Sequence, residues 1–419
     1  MYLKHVIDKD PQLLEAMIKF HQSGRIPPNS WVIDLDTIVE NARILSGEAK
    51  RLGLKTYLMS KQHNRNPYIN KLAIANGLNK MVAVDATCAL MARRYNMPLG
   101  HVGHLNQIPR ALVPAVVAMK PEVFTIFNIE HARWINDAAE AQNLIQDLLI
   151  RVYTEGDTFF EGQEGGFDEK EVPELVKTLA GLKNVRLAGV TSFPCVRYNE
   201  KPEEALRVEQ NMGTITRVAD TLRKMGVDVK QINAPGNTSS NVMRILKEHG
   251  ATHVEPGNGL LGTTPSNAFR SDLPEQTAFA YLTEISHFYK GRAFAYGGGA
   301  YHTNYSDSIQ GLVGSTWEEA RDNRVEYNYD IYQDIDYHMQ LLPKKGQRCE
   351  VGDSVLFAYR TQMHMTRSYV APVSGLSGKR ELKLHYLFDN ATTALDENFN
   401  PVDPEKVCKD IESLIADYS

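Results

Sequence analysis

Eight short strand-like runs, separated by stretches of helical periodicity, constrain this chain more than any other feature of its sequence. Helical patterns such as 69–76, 89–95, 131–143, 203–225 and 240–249 lie between the runs. Such alternation indicates parallel βαβ units, and eight of them predict a closed (β/α)₈ TIM barrel. The runs are 56–59, 81–84, 101–105, 123–127, 148–153, 186–191, 229–233 and 253–255.

The alternation stops after about Thr263, and the remaining part of the chain predicts a mostly antiparallel β domain. Its strand-like runs are 278–288, 293–296, 353–357, 369–373 and 382–387, and a terminal helix is predicted at 404–418. The first residues contain another helical pattern, 11–21. We therefore predict an N-terminal helical extension over 1–28, the barrel over 29–265, and a C-terminal β domain with a terminal helix over 266–419.

Composition excludes several functional classes. The chain has 419 residues, 42% of them hydrophobic and 23% charged, which is typical of a globular protein with room for two domains. Its net charge of -5 and its scattered Lys and Arg residues argue against nucleic-acid binding. Because we find no signal peptide, no apolar stretch of membrane-spanning length and no C-x-x-C pair among 4 cysteines, we expect a cytoplasmic protein without membrane association.

Lys61 closes the first strand-like run of the barrel. Active sites of (β/α)₈ barrels lie at the carboxyl ends of the strands, so this amine is placed in the barrel mouth. A lysine that is desolvated there can lose its proton near neutral pH and form a Schiff base. A solvated lysine at a strand end is the more common alternative when Lys61 is considered alone.

Two loops after the seventh and eighth runs are the other candidates for chemistry. The loop 233–240 ends in Thr and Ser residues and opens a helix, which suits either an anion site or a Pro-Gly turn with helix capping. The loop 255–262 begins with Glu255 and contains three glycines. Loops at these two positions commonly bind phosphate in barrels. A buried Glu255 requires a cationic partner, either a protonated ligand or Lys61 itself.

Metal binding is not predicted from the histidines of the second half of the chain. His302, His338, His364 and His385 show none of the spacings that zinc ligands have. We therefore expect no metal site.

The lysine, the two loops and the carboxylate in one barrel mouth, followed by a β domain, resemble the fold-type III pyridoxal-phosphate enzymes. This group contains alanine racemase and the ornithine/diaminopimelate decarboxylases. Val32-Ile-Asp-Leu-Asp36 with Asn41 looks like the motif that opens the racemase barrel. Lys61 falls where that family has its Schiff-base lysine, and Arg151 falls at the modified lysine on the substrate side of alanine racemase. The similarity covers nearly the whole chain.

Within this family the sequence is most similar to the YhfX-like amino acid racemase branch. The shared motifs are Lys61-Gln, Gly100-His-Val-Gly-His-Leu105, Gly162-Gln-Glu-Gly-Gly166 and Glu255-Pro-Gly. The resemblance implies pyridoxal 5'-phosphate as cofactor. The residues that it implies for cofactor binding are Lys61, Asn237, Thr238, Ser239, Ser240, Glu255, Gly257, Asn258 and Gly259.

The sequence departs from alanine racemase in ways that bear on mechanism. Glu255 stands where alanine racemase has an arginine against the pyridine nitrogen, and it resembles the Glu-Pro-Gly motif of the decarboxylases. The histidine that stacks on the cofactor in both relatives is replaced within 191–195, so either Ser192 or Phe193 takes its place or the stacking is lost. Asn258 stands where the decarboxylases have a phosphate-binding arginine, which argues against a decarboxylase.

The resemblance implies an amino acid racemase that interconverts L- and D-isomers through a quinonoid carbanion. Racemisation needs a base on each face of Cα, and one lysine serves one face. The family takes its second base, a tyrosine, from the partner subunit of a head-to-tail homodimer, and Tyr301 is our candidate. For the substrate's carboxylate we consider Arg65, Arg151 and Arg197, with Arg151 as the predicted contact.

Two alternatives remain open at this stage. A decarboxylase would use Cys349-Glu350, which resembles the Cys-Asp/Glu pair of that group. A non-catalytic pyridoxal-phosphate carrier is suggested by Gly103-His-Leu-Asn-Gln107, but those carriers are a barrel alone. The long β domain therefore favours an enzyme.

Overall fold

The fold consists of two units in a computed structural model that describes residues 2–198, 206–299, 310–328, 337–362 and 367–418. One unit, here called the barrel unit, comprises 42–61 and 73–260. The other, the sheet unit, comprises 1–41, 62–72 and 261–419. The domain boundaries expected from the sequence, 28/29 and 265/266, stay a prediction.

The strands alternate with helices through the first 260 residues and dominate the rest. The strands are β1 (Ser30–Asp34), β2 (Lys55–Met59), β3 (Lys80–Ala83), β4 (Leu99–Val102), β5 (Val123–Ile126), β6 (Gln146–Tyr153), β7 (Phe167–Asp168), β8 (Val185–Thr191), β9 (Val196–Tyr198), β10 (Leu206–Val208), β11 (Gln231–Asn233), β12 (His253–Val254), β13 (Phe279–Tyr289), β14 (Arg292–Tyr296), β15 (Gln310–Gly314), β16 (Arg324–Tyr327), β17 (His338–Leu342), β18 (Ser354–Phe357), β19 (Tyr369–Ser374), β20 (Lys383–Leu384), β21 (Leu387–Phe388) and β22 (Ala394–Leu395).

The helices are mostly short, and those of the barrel unit follow its strands. They are α1 (Tyr2–Lys9), α2 (Pro11–Gln22), α3 (Leu35–Leu52), α4 (Pro67–Ala75), α5 (Ala86–Arg94), α6 (Val113–Val117), α7 (Ile129–Glu140), α8 (Val172–Ala180), α9 (Gln210–Lys224), α10 (Ser240–Glu248), α11 (Asn258–Leu261), α12 (Pro265–Phe269), α13 (Trp317–Ala320) and α14 (Pro404–Tyr418). Single turns of 3₁₀ helix lie at Lys61–His63, Arg110–Leu112 and Glu169–Glu171. No helix in the described ranges has the length and apolar character needed to cross a membrane.

The barrel unit is a closed parallel barrel, as the sequence predicts. Its eight strands follow one another in the order β2, β3, β4, β5, β6, β8, β11 and β12, and β7 is an additional strand beside β6. The ring closes because β12 pairs with β2, with Val254 opposite Thr56. The carboxyl ends of the first and last barrel strands are therefore adjacent, which brings the segments that begin at Ser60 and Glu255 to the same edge.

The sheet unit contains an eleven-stranded, mostly antiparallel sheet. Strand β1 lies inside this sheet, antiparallel to β13 and parallel to β19. Helices α1 and α2 cover it and bury Leu13, Leu14 and Met17 against sheet residues such as Leu282 and Leu356. Asp10 caps α2, since its carboxylate accepts a hydrogen bond from the backbone N–H of Leu13 at 3.2 Å.

The stretch between β9 and α9 differs from the sequence prediction. The pattern over 203–225 indicates one helix, but the structure starts α9 at Gln210 and places β10 before it. Strand β10 pairs with β9 in an antiparallel ladder that joins Val208 to Val196. This pairing between separated segments outweighs the local helical periodicity, which is a tertiary effect that a helical pattern cannot reveal.

Close strand packing at Gly189 gives a stability prediction. A Cβ atom at this position would lie 2.0 Å from the backbone carbonyl oxygen of Gln231 on the neighbouring strand. The Gly189→Ala variant should therefore lose about 2–4 kcal/mol of unfolding free energy, because the strands must separate. Urea unfolding monitored by circular dichroism measures the change.

The matched control is Gly47→Ala, in α3 of the same unit, where an added Cβ meets nothing within 4 Å. This control should be neutral or stabilising by up to about 1 kcal/mol, because alanine is the better helix former. Equal stability of the two variants would contradict the close packing of β8 on β11.

Candidate active site

The centre of the candidate site is the buried carboxylate of Glu255, directly after β12. Its side chain is completely buried, with an exposed fraction of 0%. The Oε1 atom accepts hydrogen bonds from His101 Nδ1 at 2.5 Å and from Asn233 Nδ2 at 3.0 Å. The other ring nitrogen of His101, Nε2, lies 2.5 Å from the hydroxyl of Thr125. Side chains of β4 and β11 thus hold one oxygen of this carboxylate, and Thr125 of β5 supports the histidine.

The second oxygen of Glu255 has no such support. Among the described residues, Oε2 has no hydrogen-bond partner, although it is buried. Burial alone would raise the pKa of this carboxyl group. The charges of His104 and His101 when protonated, with the hydrogen bonds from His101 and Asn233, instead lower the pKa of Glu255 to about 2. The group is therefore an anion at neutral pH, with one oxygen available to a proton donor.

His104 lies close to this oxygen. Its Nε2 lies 3.9 Å from Glu255 Oε2, and neither of its ring nitrogens has a hydrogen-bond partner within the described part of the chain. Burial lowers the pKa of His104 to about 3, which the charges of His101, Arg151 and Lys61 reinforce and that of Glu255 opposes. His104 is thus a neutral imidazole at neutral pH.

Lys61 begins the 3₁₀ turn that follows β2 and is half-buried. Its charge helps to lower the pKa of His104. Because β2 and β12 are paired, and Lys61 and Glu255 follow these two strands, both residues lie at the same edge of the barrel. The hydrogen bonds described for Glu255 come from His101 and Asn233, so these two side chains hold the carboxylate.

The two predicted phosphate-type loops pack directly on each other. A Cβ atom at Gly259 would lie 2.4 Å from the carbonyl oxygen of Thr238, so the second loop needs glycine there. Asn237 has a left-handed backbone with φ of 46°, and Ser239 caps the start of α10 with extended backbone. The hydroxyl of Thr238 is buried without a hydrogen-bond partner in the described chain.

The predicted loop residues around these contacts lie in the same two segments. Ser240 is the first residue of α10, and Asn258 is the first residue of α11. The carbonyl of Gly257 accepts from the N–H of Leu260 at 3.0 Å, which closes the first turn of α11. The hydroxyl of Ser239 bonds to Asn241 Oδ1 at 2.6 Å.

Arg151 lies in β6 and is almost completely buried, with 1% of its surface exposed. Its guanidinium group packs over the rings of Phe127 and Phe159, and Nη2 donates to the carbonyl of Gln163 at 2.6 Å. Burial lowers the pKa of Arg151 to about 10, which leaves it charged at neutral pH. Nε and Nη1 have no hydrogen-bond partner among the described residues.

The glycine-rich segment 162–166 explains this burial. Gly165 and Gly166 have φ values of 126° and 123°, and a Cβ at Gly166 would lie 2.5 Å from the carbonyl oxygen of Arg151. The segment can thus fold closely over Arg151 only because it has glycine there. In the sequence, the glycine-rich pattern of this segment is typical of a flexible loop.

Other predicted residues belong to the sheet unit, fall outside the described residues or have a local structural contact. Tyr301, His302 and His364 fall outside the described residues. Cys349 and Glu350 precede β18, and burial raises the pKa of the Cys349 thiol to about 11. Gln107, in the segment that resembles the carriers, bonds to the backbone oxygens of Gly103 and Thr125 at 3.1 and 3.0 Å and so holds two strand ends together.

His101 and His104 are the residues that the sequence interpretation missed as site components. Their signal was two histidines three residues apart at the end of the third barrel strand, where side chains reach the mouth. One ring nitrogen of each histidine and an oxygen of Glu255 lie within 4.8 Å of one another, which is a possible metal-binding arrangement. The expectation that the protein has no metal site stays a prediction.

Phe193 lies beside His104 and was one of two predicted substitutes for a stacking histidine. Its ring contacts that of His104 edge to face, at a centroid distance of 5.5 Å. Ser192, the other candidate, accepts a hydrogen bond from Asn211 Nδ2 at 3.0 Å. The aromatic side chain of Phe193 is therefore the one in contact with the carboxylate cluster, through His104.

Solved structures with the same fold include enzymes of different activities. D-threonine aldolase from Filomicrobium marinum superposes with a TM-score of 0.65 at 14% identity, over 88% of this chain and 98% of that chain. Alanine racemase from Clostridium difficile 630 in complex with cycloserine gives 0.61 at 16% identity, over 87% and 98%. D-threo-3-hydroxyaspartate dehydratase from Delftia sp. HT23 gives 0.61 at 13% identity, over 85% and 96%. At these identities the likeness shows the fold alone.

Sequence comparison shows the family. Residues 33–265 match the family model described as alanine racemase, N-terminal domain, and residues 280–382 match the YhfX-like C-terminal domain. The uncharacterized protein YhfX of Escherichia coli (strain K12) is 37% identical over 376 residues, which cover 90% of this chain and 95% of that protein. The chain therefore belongs to the alanine racemase-like family, in the branch that carries a YhfX-like C-terminal domain.

Proposed function

We propose that this protein is a pyridoxal 5'-phosphate-dependent amino acid racemase. The observation that carries the proposal is the Glu255 carboxylate, which is buried at the end of the last barrel strand with one oxygen held and the other without a partner. A buried anion with an open acceptor fits a ligand that brings a positively charged N–H group. A protonated pyridine ring is such a ligand.

The residues of the barrel unit fit the cofactor at three points. Glu255 Oε2 would accept the ring N–H, and the Lys61 amine would hold the aldehyde carbon covalently. The hydroxyl of Thr238 lies just before α10, whose first N–H groups have no acceptor within the helix, so this region suits a phosphate. Ser239, Ser240, Gly257, Asn258 and Gly259 complete the two loops of the proposed phosphate site.

When bound, pyridoxal phosphate supplies an electron sink that stabilises negative charge at the substrate's Cα. Glu255 strengthens that sink, because an anion at neutral pH keeps the proton on the ring nitrogen. Lys61 would move the Cα proton on one face. We propose Tyr301 of the partner subunit as the base on the other face, in a head-to-tail homodimer.

Arg151 is the proposed contact for the substrate's carboxylate. It is a buried cation with Nε and Nη1 lacking partners in the described chain, and its charge lowers the pKa of His104 in the same mouth. Two adjacent N–H groups of a guanidinium match the two oxygens of a carboxylate. The hydrogen bond from Nη2 to the carbonyl of Gln163 fixes the orientation of the guanidinium group, and so does its packing over the rings of Phe127 and Phe159.

The decarboxylase reading is the second candidate, since it shares the carboxylate at the ring nitrogen. It would use the Cys349 thiol, whose raised pKa of about 11 keeps that group protonated at neutral pH. Asn258 in place of the phosphate-binding arginine of the decarboxylases favours the racemase. A carrier role is disfavoured by the extensive sheet unit.

We also propose a cytoplasmic location, which fits four cysteines that are all free.

Incubation of the protein with cofactor and pooled L-amino acids in D₂O tests the reaction. We expect deuterium at Cα and appearance of the D-isomer, because both follow from proton exchange on the two faces. The Lys61→Ala variant should lose the visible absorbance of the bound cofactor and the exchange. The matched control is Lys55→Ala, at the exposed opposite end of the same strand, which should retain both.

The products distinguish the alternatives. Carbon dioxide with an amine would establish a decarboxylase, and an aldehyde or a 2-oxo acid with ammonia would point to cleavage or dehydration of a hydroxy amino acid. Absence of a visible band in the wild type after addition of pyridoxal phosphate would contradict the whole proposal.

The Arg151→Met variant tests the substrate contact. Removal of a buried charged hydrogen-bond donor costs about 2 kcal/mol or more, so KM for the amino acid should rise roughly 30-fold or more. The visible band of the cofactor should remain. Arg186→Met, at an exposed position of β8, is the control and should leave KM unchanged. An unchanged KM in Arg151→Met, or loss of the cofactor band, would contradict the assignment.

A further inference from the structure

His104 carries two buried ring nitrogens that lack hydrogen-bond partners among the described residues, although its side chain is 1% exposed. Buried polar atoms are nearly always hydrogen-bonded in folded proteins, so each exception calls for a ligand, a water or an ion. The residue follows Gly103, whose φ of 75° turns the chain at the end of β4. The fold thus directs the imidazole into a place where the described residues supply no partner.

The partnerless atoms of His104 and Glu255 face one gap. Nε2 of His104 lies 3.9 Å from Oε2 of Glu255, and both are buried without hydrogen bonds in the described chain. This separation is too long for a bond between them. It is suited to one N–H donor that lies at the usual distance of about 2.9 Å from each.

His101 determines which atoms are left for that donor. Its Nδ1 is 2.5 Å from Glu255 Oε1 and its Nε2 is 2.5 Å from the Thr125 hydroxyl, so both ring nitrogens are already used. Asn233 adds a second bond to the same oxygen of Glu255. The carboxylate is therefore fixed in rotation, with Oε2 presented toward His104.

A metal ion is a poorer occupant of this gap. Ligand atoms of His101, His104 and Glu255 lie within 4.8 Å of one another. Zinc sites use at least three protein ligands. Both ring nitrogens of His101 are already hydrogen-bonded, so only His104 Nε2 and Glu255 Oε2 are left for an ion. Binding a metal would require breaking both bonds of His101 inside the barrel.

The charge state of His104 also suits an acceptor role. Burial lowers its pKa to about 3; the charge of Glu255 opposes this shift, and the charges of Arg151 and Lys61 act in the same direction as burial. A protonated His104 would donate its own N–H to Oε2 and close the gap. A neutral ring in the tautomer with hydrogen on Nδ1 leaves Nε2 as an acceptor.

We propose that His104 is a further cofactor-contacting residue, whose Nε2 shares the pyridine N–H of the bound cofactor with Glu255 Oε2. The inference rests on the proposed function and adds a second ring-nitrogen partner, from the third barrel strand. Phe193 would act only as a packing neighbour that holds the imidazole edge to face. The ring nitrogen would thus lie between one anionic and one neutral acceptor.

The test compares two cofactors on the cofactor-free full-length protein. One is pyridoxal phosphate, and the other is its analogue in which C–H replaces the ring nitrogen. Apparent Kd values are measured by absorbance titration for wild type, His104→Phe and the packing control Phe193→Leu. Circular dichroism and urea unfolding of each variant establish that it is folded before binding is compared.

We expect His104→Phe to weaken pyridoxal phosphate about tenfold, as the loss of one hydrogen bond to a charged donor does, and to leave the Kd of the carbon analogue within about twofold. The pH at which the absorbance of the bound cofactor changes should also shift in this variant with pyridoxal phosphate alone. Phe193→Leu should affect both cofactors equally, because it removes packing and no acceptor.

Equal weakening of both cofactors by His104→Phe would overturn the inference and leave a packing role. Tight binding of Zn²⁺ that blocks the cofactor and disappears in His104→Phe and His101→Phe would overturn it in favour of a metal site. Failure of the wild type to bind either cofactor would contradict the proposed function itself, and the inference would fall with it. The wild-type titration thus separates the two failures.

Discussion

The hydrogen bond between His101 and the buried carboxylate of Glu255 is the interaction on which the site depends. A carboxylate inside a barrel is costly unless it is bonded, and here the bonds come from β4 and β11, with Thr125 of β5 supporting the histidine. Since Glu255 itself follows β12, these hydrogen bonds connect side chains from different parts of the ring. The arrangement ties closure of the barrel to the geometry of the site.

The same bonds give the site its chemistry. They hold one carboxylate oxygen and leave the other open, and they add to the charges of His104 and His101 when protonated, which together lower the pKa of Glu255 to about 2. Burial lowers the pKa of His104 to about 3, so this imidazole is neutral at neutral pH. We propose that the anionic acceptor, the neutral acceptor, the lysine and the Arg151 guanidinium, whose Nε and Nη1 lack partners among the described residues, bind a ligand that is cationic at one point and anionic at others.

Much of the barrel and some of the site follow from local sequence patterns. The eight strands and their order of alternation are visible as apolar runs, since buried parallel strands are nearly continuous in hydrophobicity. Glu255 and Lys61 are predictable because a residue at a strand end in a barrel reaches the mouth. The terminal helix α14 agrees with its predicted bounds because its apolar spacing is uninterrupted.

Other features depend on contacts between distant segments and so could not be predicted. Strand β1 belongs to the sheet unit because it pairs with β13 and β19, which follow it by more than 240 residues. The proximity of His104 to Glu255 arises only in the folded barrel, because the two residues follow different strands, β4 and β12. The burial of Arg151 depends on the close approach of Gly166. The glycine-rich sequence of 162–166 is typical of a flexible loop and does not reveal this contact.

Reduction of the cofactor-loaded protein with borohydride, followed by proteolysis and mass spectrometry, tests the central claim most directly. We expect one modified peptide, with the reduced cofactor attached to the Nζ atom of Lys61. Attachment to another lysine, or a protein that retains the cofactor with Lys61 unmodified, would contradict the assignment of this barrel mouth as the active site.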